Sequence, residues 1–132
     1  MIKYSLAEFL ENQGIGTRMA ETGGIFVGEL PLDKNNVVAV LNSPSNQPDK
    51  ALDLYDQAID FWGRFGKSDE GFTKMSALYD LLHKRQEYQI TGFHVYFSHA
   101  LDRVNDLGRD VQRRKLYKLP VRFIYRNLVE AS

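Results

Sequence analysis

The chain has 132 residues, with 17 basic and 17 acidic side chains, 43% hydrophobic residues and no cysteine. This length and hydrophobic content fit one globular domain with a real core, taken as residues 1–132. Zero net charge leaves no overall field that attracts nucleic acid or an anionic membrane, and the missing cysteine excludes disulfides, thiolate nucleophiles and cysteine zinc sites. We expect neither a signal peptide nor a membrane-spanning segment, because no long apolar run occurs.

The first predicted element is a short N-terminal helix over residues 5–13. Ser5 and Glu8 have the spacing of a capping box, in which a hydroxyl and a carboxylate satisfy free amides at a helix start. Gly14 and Gly16 follow the apolar stripe and predict the end of the helix.

Two strands are predicted next, at residues 25–30 and 37–41. Pro31 closes the first strand, and the second is a continuous β-branched run typical of a strand buried on both faces. A turn at residues 32–35 separates them, so the two strands are candidates for a hairpin.

A long polar loop is predicted at residues 42–53, because two prolines within five residues prevent regular strand pairing. Long ordered loops on small domains often form contacts with partners. The loop residues predicted to lie at an interface are Pro44, Asn46, Pro48 and Asp49.

A strand over residues 58–65 alternates between two faces. Its inward set is Ile59, Phe61 and Phe65, and its outward set is Asp60, Trp62 and Arg64. An outward tryptophan is either covered by a second helix or part of an interface, and both alternatives stay open. Trp62 and Arg64 are therefore candidate interface residues.

The main helix is predicted over residues 69–85, with Asp69 and Glu70 at its positive end and basic residues at its negative end. A strand follows from Phe93 toward Val104, and residues 105–110 have the composition of a polar hairpin loop. The final strand has an inward face formed by Tyr117, Leu119, Val121, Phe123 and Tyr125. These elements predict an α+β fold: a mostly antiparallel β-sheet of about four to five strands packed with one long helix and one short N-terminal helix.

Candidate catalytic and metal-binding groups each have a simpler structural interpretation. His94 and His99 are five apart on a predicted strand, so they are expected on opposite faces and cannot share a metal ion without a bulge. His83 is expected at a helix C-terminus, where the dipole favours its charged form. The serines lack a nucleophile elbow, and the glycine-rich turns lack the lysine of a phosphate loop.

Paired carboxylates leave a hydrolase or a ligand-binding domain open as an alternative. The pairs outside the helix start are Asp53 with Asp56 and Asp102 with Asp106. Their spacing does not favour catalysis, since any two carboxylates can meet in a folded chain. We therefore predict no catalytic residue, no cofactor and no metal site.

A basic run near the C-terminus is the last candidate surface. Its interface candidates are Arg109, Lys118, Arg122 and Arg126. The simpler and favoured interpretation is a solvated face with acidic partners such as Asp102, Asp106 and Asp110, because exposed charge pairs are common. The alternative is a basic surface for an acidic partner protein or for passing DNA.

The order of several weak motifs resembles the tail-terminator (minor capsid) family of long-tailed, siphovirus-like bacteriophages. The matching segments are residues 24–31 (GIFVGELP), 36–42 (NVVAVLN), 58–65 (AIDFWGRF), 78–82 (LYDLL), 107–110 (LGRD) and 121–125 (VRFIY). The resemblance covers nearly the whole chain, about residues 1–128.

The resemblance implies a structural virion protein that caps the tail tube as a ring, usually a hexamer, and offers a joining surface to the head connector. Its implied partners are further copies of itself, the major tail tube protein and head-completion proteins, with DNA passing through a central opening. It implies no catalysis, and assembly in the host cytoplasm. A neighbouring neck or head-completion protein is the alternative within the same class.

Overall fold

The computed structural model describes residues 2–31, 33–42 and 54–128. Its elements in chain order are α1 (Ile2–Asn12), β1 (Thr17–Arg18), β2 (Gly24–Val27), β3 (Val37–Asn42), β4 (Leu54–Phe65), α2 (Ser68–Leu82), β5 (Arg85–Ile90), β6 (Phe93–Ala100), β7 (Asn105–Arg109) and β8 (Lys115–Asn127). Within these ranges, neither helix is long and apolar enough to cross a membrane.

The eight strands of the described chain form one mixed sheet that curls as a half-barrel. The strand order is β1-β2-β3-β4-β8-β6-β5, and β7 pairs with β8 beside this path. The pairs β1–β2 and β2–β3 are parallel, and the other pairs are antiparallel. The predicted fold class was therefore wrong: the protein is mostly β, with eight strands and two short helices rather than four to five antiparallel strands and one long helix.

The hairpin predicted between residues 25–30 and 37–41, which form β2 and β3, is one source of that error. β2 and β3 run parallel, with Ile25 opposite Val38. Left-handed backbone occurs just after β2, at Gly28 (φ 87°), and just before β3, at Asn36 (φ 57°). A short connection normally indicates antiparallel neighbours, so the parallel pairing could not be predicted from the local sequence.

The main helix is shorter than predicted because it ends at Leu82 rather than at residue 85. His83 leaves the helix in extended geometry, and Lys84 adopts a left-handed conformation with φ of 55°. The chain then enters β5, a strand that pairs with β6 and that no sequence pattern had indicated. In the same way, the predicted polar loop at residues 105–110 is largely the strand β7.

The N-terminal helix is confirmed, but its predicted capping box is not, because α1 begins at Ile2 and places Ser5 inside the helix. Ser5 Oγ donates to the carbonyl oxygen of Thr91 at 2.6 Å, and Thr91 Oγ1 donates to the Glu8 carboxylate. The two residues therefore join α1 to the turn between β5 and β6, a contact between distant parts of the chain.

Both helices pack on the same face of the sheet, which we call the inner face. Leu6 and Leu10 of α1 and Leu78 of α2 are fully buried against inner-face residues such as Phe61 and Phe123. Burial of each large apolar side chain contributes roughly 1.5–3 kcal/mol to folding. The predicted inward alternation of the last strand is confirmed, since its five inward residues are at most 4% exposed.

Pro120 lies inside β8 at the point where this strand changes partners. Residues 115–118 of β8 pair with β7, and residues 121–127 pair with β6 on the same edge. Proline has no amide hydrogen, so it suits a position between two ladders, and its carbonyl oxygen accepts a hydrogen bond from the Leu101 amide at 2.8 Å. A break between partners therefore accommodates a proline in an otherwise central strand.

Candidate interaction surfaces

The sheet face opposite the helices, here the outer face, carries several of the predicted interface residues. In the β4–β8 ladder Trp62 pairs with Lys118, Ala58 pairs with Arg122, and Leu54 pairs with Arg126. Cross-strand partners point to the same side of a sheet. Because both described helices lie on the inner face, no described helix covers Trp62, which is half-buried.

Lys118 connects two groups on the outer face. Its ammonium nitrogen lies 5.8 Å from the centre of the Trp62 ring and 3.7 Å from Oδ2 of Asp60. The Asp60 carboxylate is almost fully buried, at 4% exposure. A cation between an aromatic face and a buried carboxylate has limited freedom, so the surface around Trp62 is held in one arrangement.

Arg122 forms the second ion pair of the outer face. Its Nε donates to Oδ1 of Asp56 at 2.7 Å, and its Nη2 donates to Oδ2 of the same carboxylate. This forked hydrogen bond lowers the pKa of Asp56 and raises the pKa of Arg122. Asp56 is thus engaged by a cation, and its predicted partner Asp53 lies outside the described residues.

The outer face is a mixed-charge surface rather than a basic one. Lys118 and Arg122 each have an acidic neighbour, but these neighbours are Asp60 and Asp56 rather than the expected residues. The expected Asp106 and Asp110 pair with Lys115 and Arg114. Arg126, on the same strand face, has no hydrogen-bond or ion-pair partner among the described residues. Within the described residues, the side chain of Arg126 therefore differs from the other two cations in having no acidic neighbour.

Arg64 also lies on this side of β4, but it is only 2% exposed. Its Nε and Nη2 donate to the carbonyl oxygen of Lys34 at 3.2 and 2.7 Å, and burial lowers its pKa, with Arg114 nearby adding to the effect. A buried side chain offers no surface to a partner. The structure gives Arg64 a role in fixing the chain before β3, and the predicted interface role gains no support.

The histidines are arranged differently from the prediction. A bulge between Val95 and Phe97 shifts the register of β6, so that His94 pairs with Arg126 and His99 pairs with Arg122. Both histidines are therefore on the outer face, and the expectation of opposite faces was wrong. Their partners are four positions apart on β8, a distance of about 13 Å.

Each histidine has neighbours within the chain that give it a structural role. His94 Nε2 lies 2.8 Å from Glu87 Oε2, and His83 Nδ1 accepts a hydrogen bond from the Ala100 amide at 3.1 Å. Burial and the charges of Arg122 and His83 lower the pKa of His99, whose Nδ1 has no hydrogen-bond partner in the described chain. In the ranges that the structure describes, no three potential ligands gather as a metal site.

The β7–β8 hairpin ends in a tip, residues 109–113, which includes part of the predicted basic run. Asp110 Oδ1 accepts hydrogen bonds from the amides of Gln112 and Arg114, and Oδ2 accepts one from Arg114 Nε, all at 2.9 Å. Burial alone raises the pKa of Asp110, but these hydrogen bonds lower it overall. Arg109, the predicted interface residue, donates to the Arg113 carbonyl oxygen at 2.7 Å.

Val111 stands at the end of this tip and is 98% exposed. The single apolar residue within the polar run of residues 109–115 was the signal available in the sequence.

Several grooves flank the helices in the described part of the chain. One of about 600 Å³ lies where the turn after α1 meets α2, and Lys67, Asp69, Glu70 and Lys74 line it among others. Two more have a larger share of apolar residues. One, of about 500 Å³, lies between α1 and the β1–β2 edge and is lined by Tyr4, Met19, Ile25, Val27, Glu11 and Glu29, among others. The second, of about 510 Å³, lies beside α2 and is lined by Phe72, Ser76, Tyr79, Asp80, Arg103 and Val104. The predicted loop residues Pro44, Asn46, Pro48 and Asp49 lie outside the described residues.

A protein-family model described as bacteriophage tail terminator protein matches residues 9–127. The chain therefore belongs to the bacteriophage tail terminator family, as the order of motifs predicted. Membership makes the protein a structural component of a phage tail that associates with other tail components. No curated protein and no solved structure gives a significant match.

Proposed function

We propose that this protein caps the tail tube as a homohexameric ring, stops tube growth and presents the surface to which the head connector joins. The observation that carries this proposal is the family match over residues 9–127, which includes every strand of the described sheet. The whole chain, residues 1–132, would act as one tail-terminator domain.

The proposed partners follow from that position. Further copies of the chain form the ring, the major tail tube protein lies on one side, and head-completion or connector proteins lie on the other. DNA passes through the central opening without a specific site. The protein would act in the virion after assembly in the host cytoplasm, without a catalytic role, a cofactor or a membrane contact.

The chemistry of the outer face supports a protein partner over DNA. Lys118 and Arg122 are matched by Asp60 and Asp56, so most of their charge is balanced within the chain. A DNA-binding face relies on unmatched cations that neutralise phosphates. An aromatic residue such as Trp62 among paired charges is instead typical of protein interfaces.

A reconstitution with purified components tests this function. Tail tube protein is allowed to polymerise with or without this protein, and tube lengths are measured by electron microscopy. We expect shorter tubes with a ring at one end when the protein is present. Tube lengths that do not depend on the protein would contradict the proposal, and a heat-denatured sample of the same chain serves as the control.

A further inference from the structure

The tip of the β7–β8 hairpin exposes an apolar side chain on a rigid support. Val111 is 98% exposed, although the turn that holds it is fixed by a backbone hydrogen bond from the Asp110 amide to the Arg114 carbonyl oxygen and by the Asp110 carboxylate. A rigid loop loses little conformational entropy when it binds. An exposed valine on such a loop is therefore well suited to enter an apolar groove of a partner.

The groove between α1 and the β1–β2 edge has the matching character. Tyr4 and Met19 are 63% and 79% exposed, and the groove also contains Ile25 and Val27. Exposed apolar side chains gathered around one groove are a common sign of a contact surface.

Charge selects this groove over the one beside α2. The side chains of Arg113 on the hairpin tip and Glu29 in the α1 groove have no hydrogen-bond or ion-pair partner among the described residues. Arg18 also lines this groove, but it is paired with Glu11, so the carboxylate of Glu29 is left without a cation. The groove beside α2 contains both Asp80 and Arg103, so it offers no net charge to a basic tip. Opposite charges at the edges of a contact favour one pairing of surfaces over others.

We propose that, in the ring, the hairpin tip of one copy docks into the α1 groove of the next copy, with Val111 among the apolar side chains and Arg113 facing Glu29. Three strands, β4, β3 and β2, separate β8 from β1 in the sheet order, so the two surfaces are distinct patches of one subunit. A contact between two different patches is head-to-tail, and such contacts generate rings when the rotation closes. This inference rests on the proposed ring.

Site-directed cross-linking tests the contact directly, because the chain has no cysteine of its own. The variants Val111→Cys and Met19→Cys are mixed under mild oxidation, both in solution and on tail tubes. We expect a disulfide-linked dimer that contains one copy of each variant, and none when either variant is oxidised alone. The matched control mixes Val111→Cys with Ser76→Cys, which lines the groove beside α2.

A charge exchange provides the second readout. Arg113→Glu is added to the Val111→Cys variant, and Glu29→Arg is added to the Met19→Cys variant. Each change alone should slow cross-linking several-fold, and the two together should restore the rate. Arg103→Glu, an exposed change in the other groove, should leave the rate unchanged. Equal cross-linking of Val111→Cys to Ser76→Cys, or no cross-link in solution and on tubes, would overturn the contact.

The failure of this inference can be told apart from failure of the proposed function. If unmodified protein shortens tail tubes but the cysteine pair never cross-links on them, the capping function stands and the contact is wrong. If the pair cross-links but unmodified protein does not affect tube growth, the contact stands and the capping function is wrong.

Discussion

The ammonium group of Lys118 lies 5.8 Å from the centre of the Trp62 ring, across the β4–β8 pair on the outer face of the sheet. The same group is 3.7 Å from Oδ2 of the buried Asp60. These contacts hold an aromatic ring and a cation together on a face that no described helix covers. The outer face is thus the first place to separate assembly from folding by mutation.

Replacing Trp62 should weaken assembly more than folding. Trp62→Ala removes a half-buried ring and its cation contact, so we expect the free energy of unfolding to fall by about 1–2 kcal/mol. Tube capping should be strongly impaired while the chain remains folded, as measured by denaturant unfolding and the tube-length assay. The matched control is Phe61→Ala on the inner face, which should cost about 3–5 kcal/mol. Unchanged melting and unchanged capping in Trp62→Ala would rule out this role.

Charge reversal at Arg126 should affect joining without affecting stability. Arg126 has no ion-pair partner in the described chain, so Arg126→Glu should change the free energy of unfolding by less than about 0.5 kcal/mol. We expect fewer heads joined to tails in a mixing assay read by electron microscopy. If joining is normal, Arg126 belongs to a solvated face and not to an interface.

Arg122 allows a sharper comparison, because its acidic partner is known. Arg122→Glu would place a second carboxylate beside Asp56, so it should reduce both joining and stability. The double variant Asp56→Arg with Arg122→Asp restores the ion pair in the opposite orientation. We expect it to recover stability but not joining. Recovery of both would mean that the pair is structural.

Arg64 should behave in the opposite way to Arg126. Arg64→Met deletes two hydrogen bonds to the Lys34 carbonyl oxygen inside the protein, which should cost roughly 1–3 kcal/mol. The fraction that remains folded should cap tubes normally, as judged by activity corrected for the folded fraction in circular dichroism. A stable variant with impaired capping would instead assign Arg64 to an interface.

Stability should fall on mild acidification because His99 is held neutral. The pKa of His99 is lowered by burial and by nearby cations, so the unfolded chain binds a proton more readily than the folded chain. This contribution is complete above the ordinary histidine pKa of about 6.5 and is lost as pH falls below it. Thermal melting from pH 7.5 to 5 should show the loss, and His99→Gln should remove it.

The carboxylates give a separate signal at lower pH. Hydrogen bonding to Arg122 lowers the pKa of Asp56, so the stabilisation that Asp56 contributes is present above the ordinary aspartate pKa and is lost as pH falls below about 4.

The histidine prediction has its own contradicting outcome. A stability profile that is flat from pH 7.5 to 5 in the unmodified chain would contradict the role assigned to His99.

The sequence predicted best where one periodicity covered a long element. The inward residues of β8 and the outward position of Trp62 followed from alternation, since β4 and β8 each have one face packed on the helices. The family was also identified from the order of weak motifs, and the match over residues 9–127 confirms it.

The errors arose where a single residue changed the direction of the chain. Left-handed backbone at Lys84 ends the helix, and the bulge in β6 moves His99 to the outer face. The parallel pairing of β2 with β3 depends on contacts across the sheet, which local pattern does not encode. The exposed Val111 has significance only once the turn around it is known to be ordered.

The length distribution of tails in lysates of phage that lack this protein tests the proposed function most directly. We predict tails longer than normal, without attached heads, and a return to normal length when the unmodified chain is supplied. Tails of normal length that are detached from heads would contradict tube capping and indicate a head-completion role in the neck instead.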